Sequence, residues 1–141
     1  MRKGTIDTMT MQEIEQDIFN DLKELGDDIS QYTYLLQCAS ECRDYPEEYR
    51  TEVYLVRDCQ MKTWLRVAWE KEHCVFDADS EALIVRGALA LLQEIFDGRK
   101  IEEVKAYNCQ LLEEKLFTKH FNRDQLKGLR AIVAHSCSDF S

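Results

Sequence analysis

The chain has 141 residues, 45% of them hydrophobic and 32% charged, with a formal net charge of −9. That length fits one packed domain. The acidic balance argues against a nucleic-acid phosphate partner, which would draw on clustered Lys and Arg. No apolar run approaches the ~18 residues of a membrane span.

Residues 1–11 are polar and lack a period, so they read as a flexible N-terminal tail ahead of a single domain over 12–141. The basic pair Arg2–Lys3 has no apolar stretch behind it, so the start is not a secretory signal. A cytoplasmic protein is expected, and there the six cysteines stay reduced rather than forming a disulfide framework.

From Gln12 the pattern turns helical, with Ile14, Ile18, Leu22 and Leu25 on one stripe. Gly26, Asp27 and Asp28 break the run. A second helix follows, with Ile29, Tyr32, Leu35, Leu36 and Ala39 expected inward. Pro46 ends it. "TEVYLV" at 51–56 reads as a strand. A second strand follows Cys59, where Met61, Thr63, Leu65, Val67 and Trp69 alternate with more polar neighbours. "EKEH" is a polar break before a third strand, "CVFDA", so a hairpin is expected without a nameable turn type.

The second half is helical again. "DADSEALIVRGALALLQEIFDGRK" opens with acidic and hydroxyl residues suited to a helix N-terminus and stops at Gly98. It is apolar on most sides, so it should be the central helix. Residues 100–107 read as a short helix and 108–119 as helical. Asn122 with Gln125 resembles a capping box, opening a last helix with Leu126, Leu129, Ile132 and Val133 inward. The order predicts an α+β domain: N-terminal helices, a small three-stranded antiparallel sheet, then C-terminal helices.

Cys59 stands out. It falls between two expected strands, at a loop tip that should be exposed, and loops on a rigid sheet commonly carry function. No glycine-rich phosphate loop, GxSxG elbow, HExxH or paired CxxC is present. Cys38 and Cys42, four apart, share a helix face and are half of a zinc site at most; buried apolar thiols are the plainer reading. Cys74 reads as a packing residue or as a neighbour of Cys59 across the hairpin, Cys109 and Cys137 read as incidental, and His73, His120 and His135 show no ligand spacing. Trp64 reads as a sheet-packing residue, and Asp77 with Asp79 as helix-capping.

"C-Q-x-x-x-W-L" at Cys59–Leu65, "F-x-A-D-S-E-A-L-I-V-R-G-A-L-A-L-L" at Phe76–Leu92, "G-R-K-I-E-E-V" at Gly98–Val104 and "K-G-L-R-A-I-V" at Lys127–Val133 resemble the SufE family of sulfur acceptors. The resemblance implies the α+β fold shared with IscU-type scaffolds. It implies a carrier that is not itself an enzyme and holds no cofactor. Such a carrier takes sulfane sulfur from a SufS-type, pyridoxal-phosphate cysteine desulfurase, stimulates it, and passes the sulfur to an iron–sulfur scaffold complex. The family's persulfide-bearing cysteine falls on Cys59, which places Arg57, Asp58, Gln60 and Met61 on the partner-docking loop. A monomer or weak homodimer is expected, without nucleic acid or membrane as partner.

Three positions depart from the family pattern. Asp58 stands where glycine is usual, Met61 where serine is usual, and "DQLKGL" where Arg precedes "NGL". Two other readings stand beside the carrier: a metal-binding scaffold of IscU type using Cys59, Cys74 and either Cys38 or Cys137, and a regulatory relative that docks without accepting sulfur.

Overall fold

The computed structural model describes residues 9–57 and 59–138. Helix α1 (Met11–Leu25) starts within the expected tail, because Thr10 and Glu13 form a reciprocal capping box. Thr10 Oγ1 accepts from the Glu13 N–H at 3.0 Å, and Glu13 Oε1 accepts from the Thr10 N–H at 2.8 Å. Residues 1–8 of that expected tail lie outside the described residues. Gly26 ends α1 at φ +83°, a left-handed position that glycine takes without a Cβ penalty. Ile14, Ile18 and Leu22 are fully buried, while Leu25 is exposed.

Helix α2 (Asp28–Cys38), capped by Asp27, buries Leu35 as expected, as does Ala39 just beyond it, but the rest of the expected inward face is exposed. Gln31, Leu35 and Cys38 point inward; Ile29, Tyr32 and Leu36 are exposed. The cause is the central helix α3 (Leu83–Phe96), which crosses α2 at Gly87. A Cβ at Gly87 would overlap the Leu35 carbonyl oxygen, so the two backbones touch at Leu35, which turns its side of α2 inward. Gln31 is tolerated there because its amide nitrogen donates to the Leu22 carbonyl at 2.9 Å and its Oε1 accepts from His120 Nε2 at 3.0 Å.

Among the described residues the sheet has two strands, not three: β1 (Thr63–Glu70) and β2 (His73–Ser80), antiparallel from Thr63↔Ser80 to Glu70↔His73. Lys71 and Glu72 join them with φ of 52° and 66°, the two positive values of a type I′ hairpin. Of the third strand expected at 51–56, only the bridge Leu55↔Trp64 and the bond from the Val56 N–H to the Thr63 carbonyl (2.8 Å) remain. Glu52–Tyr54 form a 3-10 turn instead. Side-chain stacks hold this stretch: Arg66 lies 4.0 Å over the Tyr49 ring, and Tyr49 meets Tyr54 edge-on at 5.4 Å. Val53, favourable to strand by type, is left 83% exposed.

Strand β2 takes the Asp77–Ser80 stretch that the sequence assigns to a helix start, so α3 begins only at Leu83 and has no side-chain cap. Asp77 and Asp79 therefore cap nothing. Asp77 pairs with Arg43 at 2.7 Å, and Asp79 pairs with Arg50 and Arg86, both at 2.9 Å. After α3, Gly98 turns the chain at φ +81° into α4 (Ile101–Ala106). The stretch 108–119 is less helical than expected, holding a 3-10 turn at Leu111–Glu113 and the short α5 (Lys115–Thr118). Helix α6 (Arg123–Ser138) opens with the expected Asn122–Gln125 reciprocal bonds at 2.8 and 3.0 Å. The core lies between β2 and α3, where Phe76 stacks on Phe96 at 5.7 Å, with α1, α4 and α6 closing around it.

Candidate functional site: the Cys59 seat

Cys59 sits between the Leu55 bridge and the start of β1, outside the two strands. It is half-buried rather than fully exposed. The reason lies in α6. Asp124, Gly128 and Ile132, spaced by four, place one face of that helix along a small cavity of about 60 Å³ that Cys59 also lines. Gly128 is the seat: a Cβ built there would stand 2.6 Å from Cys59 Sγ. Asp124 holds the loop, its Oδ2 accepting from the Gln60 N–H at 3.1 Å. On the far side Lys62 and Glu81 close the loop base, the Glu81 N–H donating to the Lys62 carbonyl at 2.9 Å.

Arg57, Gln60 and Met61 are exposed, Met61 at 48% despite its apolar side chain; Asp58 lies outside the described residues. The structure thus brings Cys59, Gln60 and Met61 together on one cavity, with Arg57 outside its lining. Sequence reasoning missed Asp124 and Gly128. A signal existed: a glycine inside a helical pattern usually answers a close packing need.

The remaining thiols stand in different surroundings, and all six cysteines are unbridged. Burial pushes Cys42 up to about 11, Cys74 to about 12 and Cys137 to about 11. Burial also raises Cys109. Cys38 is packed in the α2–α3 core, 5% exposed. Cys42 Sγ lies 3.6 Å from the Ala78 carbonyl. Among the described residues no group of three His, Cys, Asp or Glu side chains is arranged to hold a metal ion. Cys59, Cys74 and Cys38 are thus not brought together as the scaffold reading would need. Trp64 is 8% exposed, packed near Tyr45 with the Arg50 guanidinium 4.7 Å from its ring, as a sheet-packing residue should be. Among the described residues no helix is long and apolar enough to cross a membrane.

A two-layer α+β domain that seats one half-buried thiol between its hairpin and its last helix is the class of protein defined here. The chain belongs to the SufE family: the model of that family, described as an Fe–S metabolism associated domain, matches residues 16–138. Among curated proteins it is similar to a cysteine desulfuration protein SufE of Wigglesworthia glossinidia brevipalpis, 25% identical over 103 residues, 72% of each chain. It is also similar to an uncharacterised SufE-like protein of Rhizobium etli, 27% identical, covering 94% of this chain and 91% of that one. A solution structure of a hypothetical protein from Thermus thermophilus shares the fold, with TM-score 0.57 and 18% identity, over 89% of this chain and 97% of the other.

Proposed function

We propose that this protein, through residues 12–141 acting as one unit, accepts sulfane sulfur from a cysteine desulfurase as a persulfide on Cys59. It delivers that sulfur for iron–sulfur cluster assembly in the cytoplasm and speeds the desulfurase by clearing its product. The observation that carries this reading is a family match spanning the Cys59 loop, in a chain where that thiol lines an open cavity while burial disfavours the thiolate of Cys42, Cys74, Cys109 and Cys137. The name of the Wigglesworthia relative, a cysteine desulfuration protein, points the same way.

The chemistry is a thiol–disulfide type exchange. The Cys59 thiolate attacks the outer sulfur of the desulfurase persulfide. The S–S bond to the desulfurase cysteine breaks, that cysteine leaves as a thiolate, and a new S–S bond forms on Cys59. The sulfane sulfur keeps its oxidation state, so no external oxidant or reductant is needed. The proton of Cys59 leaves before attack, since a thiol near ~8.5 is only a few per cent thiolate at neutral pH. Because Sγ rests against Gly128, the loop must swing outward to reach a sulfur held on another protein.

Incubation with a cysteine desulfurase, cysteine and pyridoxal phosphate should add the mass of one sulfur atom, mapped by peptide analysis to Cys59. Cys59→Ser should keep its thermal midpoint, since the half-buried loop thiol contributes within about 0.5 kcal/mol, and should gain no sulfur. Full labelling of Cys59→Ser would overturn the assignment.

A further inference from the structure

We propose that Asp124 is a positioning residue that latches the Cys59 loop onto α6, so that the thiol is presented only when this carboxylate is released. The inference rests on the reading of Cys59 as sulfur acceptor. Three observations carry it. Asp124 Oδ2 accepts the N–H of Gln60, the residue next to the thiol, at 3.1 Å. The cap of α6 does not need this carboxylate, because Asn122 and Gln125 satisfy each other's backbone N–H groups. One turn further on, Gly128 leaves room for Sγ where any Cβ would stand 2.6 Å from it.

The two contacts act together. Drawing Cys59 outward moves Gln60 with it, and the Asp124 bond breaks in the same motion. A hydrogen bond to an ionised acceptor is stronger than a neutral one, so the loop rests mostly closed. Asp124 also lies in the first turn of α6, where the helix dipole attracts a negative charge and helps to hold the carboxylate in place. A partner that opens the loop must offer Asp124 a replacement donor, a backbone N–H or a cationic side chain, as it receives the sulfur.

The test is iodoacetamide alkylation of the Cys59 peptide, followed by mass spectrometry as a full pH–rate curve. The plateau rate reports access and the midpoint reports the charge around the thiol. Asp124→Ala should raise the plateau by roughly fivefold. Asp124→Asn, which keeps an acceptor oxygen but loses the charge, should raise the plateau less than Asp124→Ala does. Gly128→Ala should raise the plateau as well, by evicting Sγ from its seat, which keeps the test open if Asp124→Ala folds poorly. An unchanged plateau in Asp124→Ala, an equal rise in Asp124→Asn, or an unchanged plateau in Gly128→Ala overturns the latch. None of these readouts uses sulfur transfer. A wild-type protein that takes no persulfide overturns the carrier reading alone, and one that takes it while its plateau ignores Asp124 overturns the latch alone.

Discussion

Glu15 is a charged residue inside a helical stripe, and its side chain is buried to 5% exposure. It survives there because a single carboxylate oxygen accepts three donors: the Tyr107 hydroxyl at 2.6 Å, the Gln110 N–H at 2.8 Å and the Leu111 N–H at 3.0 Å. It thereby ties α1 to the turn at Leu111–Glu113. Glu15→Ala removes the acceptor shared by the Tyr107 hydroxyl and two backbone N–H groups. A loss of about 2–4 kcal/mol in urea unfolding is expected, with Glu15→Gln losing less because it keeps an oxygen in place. A loss under about 0.5 kcal/mol for Glu15→Ala would show that water replaces the carboxylate.

Among the elements, the α2–α3 crossing decides which face of α2 is inside. Gly87 lets the Leu35 backbone approach α3 more closely than any side chain allows. Gly87→Ala must push the helices apart, and because backbone rather than a flexible side chain is in the way, relief is costly. About 1–3 kcal/mol of destabilisation is expected despite the better helix propensity of Ala, which alone favours the variant by roughly 1 kcal/mol. A stabilised Gly87→Ala protein would mean that the helices separate freely and that the exposure of Ile29, Tyr32 and Leu36 has another cause.

Across the whole molecule, buried thiols are expected to contribute to the loss of stability at alkaline pH. Burial raises Cys42, Cys74 and Cys137 from 9.0 to about 11, 12 and 11. The folded state therefore holds these protons after the unfolded chain has released them. Their contribution is complete below pH 9 and is lost as pH rises through the folded values. Unfolding free energy measured under reducing conditions should fall from pH 9 to 10.5. Cys74→Ala, whatever its cost at neutral pH, should make that fall shallower. Parallel curves for the two proteins would show that Cys74 titrates alike folded and unfolded.

Local signals carried much of the architecture. The period of Ile14, Ile18 and Leu22, the Asn122–Gln125 pair, the stop at Gly98 and the long apolar run of α3 are each set by neighbours within a turn or two, and each stands in the structure. The SufE resemblance was legible for the same reason, since an ordered set of short stretches survives in sequence where overall identity is low. What failed depended on distant partners. The 51–56 stretch has strand-forming residues, yet Arg66 and Tyr49 draw it into side-chain stacks and leave only one bridge to β1. Asp77 and Asp79 look like helix caps until β2 pairs through Ser80 and arginines arrive from 43, 50 and 86. The sequence by itself determined that a loop cysteine precedes a hairpin and a buried helix. Only the tertiary structure decided that the Cys59 Sγ comes up against Gly128 and that Asp124 accepts the Gln60 N–H, because a hydrogen bond between residues 64 positions apart exists only once α6 has packed into the fold.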